Sequence, residues 1–458
     1  MQPRWKVLIV VSVAVFMASL DLFIVNIAFP EIARDFGDAD VAELSWVLNA
    51  YAIVFAALLV AAGRLADRVG RRRGFLAGLG LFLLGSALCG LAPSVETLVA
   101  ARVLQATGAA VLLPTSLALL LPEFPPAERA AAIGIWAAVG GIAAAAGPPL
   151  GGLLVEGSWR LVFLVNVPVG IVAAFYGAKL LRETKDESAA WPDWLGTALL
   201  TGSVGALARA LVKAPEWGWG DGATLTAFAA AGAGLAWFWA RTGTHPEPVL
   251  DRSMLGVRSF AMANLAALLF TAAFAAMLLG GVLFMTQVWG DSALRAGLQI
   301  APGPLMAALF AARSGKVADR LGQRNLAAAG SAVFGLGTAW WLWQLDAGAS
   351  YVVGLLPGML ITGIGVGLTL PSLASAAASS LPPHRFATGS AVLTMSRQIG
   401  TVLGVAILVA ILGTEGGDFD AGWAFMSLTA FLGAAAAYAI GPLSVALPAP
   451  PAPEGARA

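Results

Sequence analysis

The sequence predicts an all-α membrane protein of fourteen transmembrane helices, arranged as two six-helix bundles with two inserted helices between them. Three observations carry this reading. Apolar residues make up 59% of the 458 and charged residues only 12%, with a mean hydropathy of +0.82; soluble domains carry about 25% charged residues. The apolar residues gather into stretches of about 20, the length a helix needs to cross a hydrocarbon core. The string GRLADRVGRR (Gly63–Arg72) also recurs in looser form 252 residues later as GKVADRLGQR (Gly315–Arg324). Each copy is a short basic loop between two long apolar segments, so the chain reads as two related membrane halves, a plan common among secondary transporters.

The first span covers about residues 7–29 and follows MQPRWK directly. No small-residue cleavage site is visible, so it reads as a spanning helix and not a removed signal peptide. Five more spans fall near 45–62, 75–92, 97–121, 130–154 and 161–181, completing a bundle over 1–185. A six-helix unit with its loops needs about 180 to 200 residues. The 252-residue offset therefore leaves room for two inserted spans, 194–212 and 223–240, within 186–243. The stretch Gly243–Arg258, containing HPEPVLDR, is the link into the second bundle, 244–446, with spans near 260–288, 294–312, 326–345, 351–373, 386–412 and 421–441. The final PAPPAPEGARA, within 447–458, reads as a disordered tail. The high Gly and Pro content is tolerated in membrane helices whose neighbours satisfy the freed backbone groups.

Charge counting orients the layout. Twenty of the 27 Lys and Arg fall in segments expected on one side, four on the other, and three inside spans: Arg102, Arg209 and Arg397. Basic residues stay on the cytoplasmic side, so both termini are expected there, in a multi-pass protein of the cell (inner) membrane. The net charge of +1 gives no sign of a nucleic-acid partner, and the lone cysteine, Cys89, excludes an intramolecular disulfide and reads as a buried, inert thiol. His245 and His384 have no clustered ligands, so no metal is expected. No GxxxxGK[ST] nucleotide loop and no nucleophile constellation appears, so neither a cofactor nor an enzymatic activity is expected.

The residues that stand out are charges where charge is costly. Asp21 is the only carboxylate deep inside a predicted span, about 14 residues or roughly 21 Å above the cytoplasmic face. An intramembrane acid is a functional candidate: either it loads and releases a proton, or it is a structural hydrogen-bonding group. Arg102 falls near the same depth, and Gln105 lies one turn further on the same face of its helix. Asn26 lies about 140° around the helix from Asp21 and is not expected to share its partner. Arg397 sits near the middle of its span, as a structural bridge or a substrate contact. Arg209, near a span end, is expected to snorkel to the interface, and most of the 15 tryptophans suit interfacial belts.

Local motifs then give a resemblance. LDLFIVNIAFP (Leu20–Pro30), WVLNAY (Trp46–Tyr51), the loop GRLADRVGRR, ARVLQATGAA (Ala101–Ala110), GPPLGG (Gly147–Gly152) with the following WRLVFLVNVPVG, and SRQIGTVLGVAIL late in the chain resemble the major facilitator superfamily, in its fourteen-helix drug:proton antiporter branch. The resemblance covers nearly the whole length. It departs in two places: Phe23 stands where the branch usually has Thr, and Ala106 where it usually has Gly.

The resemblance implies the major facilitator fold and proton-coupled export of hydrophobic or amphipathic small molecules, drugs or antibiotics, by alternating access. Asp21 and Arg102 would couple protons. Asn26, Trp46, Tyr51, Gln105 and Arg397 would line the substrate cavity. Gly63, Asp67, Arg68, Gly70 and Arg71, with Asp319 and Arg320 of the second copy, would form a cytoplasmic gate, the alternative being topological anchoring alone. Gly147, Pro148, Gly151 and Gly152 would pack the fifth span against the other bundle and mark the chain as an exporter. The expected partners are a small-molecule substrate, protons and the bilayer, for a monomer. The rival readings are metabolite uptake by the same fold, and a membrane sensor or scaffold that transports nothing.

Overall fold

The computed structural model describes residues 2–441 apart from 38, 126–127, 188, 383–384 and 414–416; the expected tail 447–458 and His384 lie outside the described residues. Among the described residues all regular structure is helical. The first half contains α1 (Pro3–Asp35), α2 (Val41–Val69), α3 (Arg71–Gly90), α4 (Val95–Leu120), α5 (Arg129–Gly157), the single turn α6 (Leu161–Leu164) and α7 (Asn166–Leu180). Then come α8 (Trp194–Trp217) and α9 (Gly222–Thr242). The short α10 (Arg252–Leu255) leads into α11 (Arg258–Leu283), α12 (Ala293–Ile300), α13 (Pro302–Leu321), α14 (Gln323–Gln344), α15 (Leu356–Ser379), α16 (Phe386–Leu412) and α17 (Phe419–Tyr438).

Among the described residues, thirteen helical segments are long and apolar enough to cross a membrane. The expected tenth span, 294–312, is not among them. Its chain is helical as α12 and α13 but breaks at Ala301, next to Pro302, and α13 carries Arg313, Lys316, Asp319 and Arg320. Proline removes the backbone donor there, and the charges dilute the apolar run. The expected sixth span is likewise divided at Val165, three residues before Pro168. Helices also run past the apolar stretches, as α1 and α2 do. Their polar ends are held by caps: Asp40 accepts from the Ala42 N–H at 3.1 Å, and Ser94 and Thr97 form a reciprocal capping box at the start of α4.

Packing rests on small residues, because apolar surface gains little by leaving lipid and close van der Waals contact drives helix association instead. A Cβ on Gly85 of α3 would meet the Gln105 backbone at 2.6 Å, and one on Gly108 of α4 would meet the Phe82 nitrogen at 2.4 Å. These two glycines bring α3 and α4 together at the depth of the polar site described below. In the first half α1 packs on α5, and α4 on both α2 and α3; in the second, α11 packs on α16 and α17, and α14 on α15 and α17. The halves meet where α2 lies on α16 and α5 on α12; α8 packs on α9 and touches both α2 and α16. The end of the molecule carrying Gly63–Arg73 and Arg313–Arg324 is called the basic end below.

Candidate functional site

The interior of the first half holds one ion pair. Asp21 of α1 and Arg102 of α4 are 0% and 1% exposed. Arg102 Nη1 donates to Asp21 Oδ2 and, at 2.6 Å, to Gln105 Oε1. Gln105 Nε2 donates to Asp21 Oδ1 at 2.8 Å and to Ser86 Oγ at 2.7 Å. Arg102 Nε donates to the Val47 carbonyl at 3.0 Å, and its guanidinium lies 4.1 Å from the Tyr51 ring centroid. Asn166, at the start of α7, donates to Ser86 Oγ at 3.4 Å. Five helices thus converge on one carboxylate, both of whose oxygens are engaged.

This geometry sets up a competition. The carboxylate is tolerable in an apolar interior because the guanidinium neutralises it, and removing either partner strands the other. A proton on Asp21 would replace Arg102 as its counter-charge and free the guanidinium.

The sequence placed Arg102 near the depth of Asp21 and Gln105 one turn further on the same helix face, and the structure brings all three together. It differs on the expected cavity residues. Gln105 and Tyr51 are enclosed, at 0% and 1% exposure, because they serve the ion pair as bridge and ring platform. Asn26 is buried and donates to the carbonyl of Leu22 on its own helix at 3.0 Å, away from Asp21. Trp46 is half-buried against the core. Arg397 is half-buried on α16, and its Nε has no hydrogen-bond partner. Ser86 and Asn166 were missed, since hydroxyl and amide groups leave little trace in hydropathy. So was Asn49, whose buried amide has no partner on either atom, although it lies inside the quoted WVLNAY.

Phe23 takes no part in the Asp21 cluster. Its ring meets Phe274 of α11 edge-on at 6.4 Å, across the two halves. A Cβ on Gly147 would meet Phe23 Cβ at 2.7 Å, and one on Gly151 would meet Ile24 Cγ1 at 2.9 Å. Two of the α5 motif glycines therefore seat α5 on α1. Gly152 faces the second half: a Cβ there would lie 2.7 Å from Leu294 Cα. In reply, a Cβ on Gly297 of α12 would lie 2.4 Å from the Pro148 carbonyl oxygen. The motif forms a close seam between α5 and α12, at the end opposite the basic loops.

At the basic end, Asp67 accepts from Arg71 Nε at 2.6 Å within its own loop, and its carbonyl accepts from the Asp186 N–H at 2.8 Å. Arg68 donates to the Ala189 carbonyl at 2.6 Å and lies 4.7 Å from the Trp191 ring. These contacts hold the connector after α7. Among the described residues Arg64 alone of this loop reaches across, to the carbonyl and carboxylate of Glu247 at 2.8 and 3.4 Å. Gly70 has φ +131°, and a Cβ would lie 2.7 Å from the Glu183 carboxylate; that conformation and that space suit only glycine. Gly63 lies beside Pro114. Asp319 and Arg320 are exposed and form no ion pair among the described residues. Arg209 is exposed, 5.3 Å from the Trp217 ring.

A profile described as Major Facilitator Superfamily matches residues 11–405 and, again, 265–457. The chain is 36% identical over 409 residues to "Multidrug resistance protein Stp" of Mycobacterium tuberculosis, covering 88% of this chain and 75% of that one. It is 34% identical over 431 residues to "Tetracenomycin C resistance and export protein" of Streptomyces glaucescens, covering 93% and 79%. Among solved structures, nucleoside transporter NupG superposes with a TM-score of 0.69 at 12% identity, covering 96% of this chain and 100% of the other.

Proposed function

The chain belongs to the Major Facilitator Superfamily, in the branch of its drug-efflux transporters, and we propose that it exports hydrophobic or amphipathic small molecules from the cell in exchange for protons. It is a multi-pass membrane protein. The observation that carries the coupling is the enclosed Asp21–Arg102–Gln105 cluster. It is a single carboxylate whose charge state decides whether Arg102 is held or freed. Loading Asp21 from outside and releasing the proton inside would draw on the transmembrane potential, worth about 2.3 kcal/mol per charge per 100 mV.

The direction of transport rests on the relatives, named for resistance and export, and on the α5 motif. Residues 1–185 and 244–446 act as two bundles rocking about a central site, with 186–243 as an inserted pair and both termini in the cytoplasm. In the present state the α5–α12 seam is closed. The first half of α5 is open at the basic end: nothing lies within 4 Å of a Cβ on Gly134 or Gly141, and Ile133 and Ile135 are 38% and 43% exposed. The test is accumulation of amphipathic fluorescent dyes by everted vesicles energised with a pH gradient. Uptake should need both the chain and the gradient. Dye accumulation that survives an uncoupler would refute proton exchange, and accumulation in intact cells but not in everted vesicles would reverse the direction.

A further inference from the structure

The two guanidiniums inside the bundles are treated differently. Arg102 is paired with Asp21 and bonded to Gln105 and Val47. Arg397 takes part in no ion pair among the described residues, and its enclosed Nε has no acceptor. Its carbonyl, by contrast, accepts from both Thr271 and Thr401, at 2.8 and 3.1 Å. The next residue, Gln398, also leaves its Nε2 enclosed and unpartnered, as does Asn49 with both amide atoms on α2, the helix that packs on α16. An unneutralised cation in an apolar interior is costly and is found where it faces a ligand or a water-filled path.

The placement of Arg397 identifies which. Phe386, Ser390, Thr394, Arg397 and Thr401 recur at three- and four-residue intervals and so share one face of α16. Towards the basic end this face is open, with Phe386 43% exposed and Ser390 exposed. Beyond Thr401 the same face closes, with Leu408 and Leu412 at 1% and 7%. Arg397 therefore lies on a polar stripe leading in from the basic end, at the depth where it closes. The side of α16 that carries Ser396, Gly400 and Gly404 is taken up by α11, through Asn264, Leu268 and Ala272.

We propose that Arg397 is the anion anchor of the central cleft, and that the compounds this protein moves carry one carboxylate or similar oxyanion beside an apolar body. The proposal rests on the export reading. A planar guanidinium with no internal acceptor can take a carboxylate through two parallel hydrogen bonds, which a lysine cannot reproduce.

The test uses three probes with one ring and different charge: 1-pyrenebutyrate, 1-pyrenebutanol and 1-pyrenebutylamine. Their binding to the purified full chain is measured by fluorescence in neutral detergent. The butyrate should bind on the order of tenfold tighter than the other two, as a charge-assisted hydrogen bond implies. Arg397→Gln should remove that preference, so that the butyrate binds no tighter than the butanol. Arg397→Lys, a milder change should the glutamine variant not fold, should lose at least half of the preference. Equal binding of all three probes by the native chain, or an undiminished preference in either variant, would overturn the proposal. Erasure of the preference by added phosphatidylglycerol would assign the site to a lipid headgroup and overturn it too. Dye export in vesicles is scored separately. Export without the probe preference sinks the anchor alone, whereas the preference without export sinks the export reading alone.

Discussion

The seam between α5 and α12 yields a prediction whose magnitude follows from the coordinates. In Gly297→Ala the new methyl would lie 2.4 Å from the Pro148 carbonyl oxygen and 3.1 Å from its carbon, where ordinary contact begins at 3.4 Å. Both obstacles are backbone, so no side-chain rotation relieves them, and α5 and α12 must part by about 1 Å. Overpacking of this kind costs about 1–3 kcal/mol. The cost falls only on the state in which the seam is closed. At about 1.4 kcal/mol per tenfold, the ratio of closed to open seam should fall by roughly five- to 150-fold. The assay is a spin-label distance between Glu156→Cys at the end of α5 and Arg295→Cys on α12, both exposed, in a Cys89→Ser background. Gly297→Ala should move the distribution to longer distances, and Gly152→Ala, which meets Leu294 Cα at 2.7 Å, should do the same to a lesser degree. An unchanged distribution in a folded Gly297→Ala protein would refute the seam as a conformational lock.

Three shorter predictions follow. Arg102→Lys keeps the charge but cannot serve Asp21, Gln105 and the Val47 carbonyl together. It should destabilise the protein by about 1–3 kcal/mol and lower its melting temperature in detergent, and an unchanged melting temperature would argue against a shared network. Phe23→Ala removes the ring that meets Phe274 across the halves, a contact worth about 0.5–1.5 kcal/mol. It should lengthen the same spin-label distance while leaving the protein level unchanged, and a distance that stays put would confine Phe23 to the first half. Arg64→Ala cuts the reach of the loop to Glu247, whereas Asp67→Ala cuts a contact inside the loop. Asp67→Ala should raise cysteine labelling at Ile135→Cys and slow transport at preserved protein level. Labelling and transport both unchanged would leave the loop as a topological anchor.

What the sequence made legible is tied to how costly a residue is in its surroundings. Asp21 and Arg102 stood out because a charge in an apolar span is expensive, and one helical turn was enough to add Gln105. Ser86 and Asn166 complete the cluster, but small polar residues are cheap in a helix and give no comparable signal. The sequence also could not tell a paired intramembrane arginine from an unpaired one; that depends on which helix faces it, and it separates Arg102 from Arg397. Fold class and the thirteen most apolar helices were readable from composition, the length of the apolar stretches and the internal repeat. The α12–α13 segment fell short of that measure because Pro302 breaks it and the basic loop of the second repeat shares its last turns. Phe23 stands where the resembled branch usually has Thr. It proved to be an aromatic contact between the halves, because the carboxylate draws its donors from α4 instead.

The central claim is that Asp21 carries the coupled proton, and substrate-driven proton release tests it most directly. A compound that the native chain exports from vesicles is added to weakly buffered, detergent-solubilised protein containing a pH indicator, just above the pH at which release is half-maximal. The native chain should release protons on addition of compound. Asp21→Asn keeps a hydrogen-bonding group opposite Arg102 and Gln105 but has no proton to give, so it should bind the compound and release none. Proton release of native size from Asp21→Asn would contradict the account.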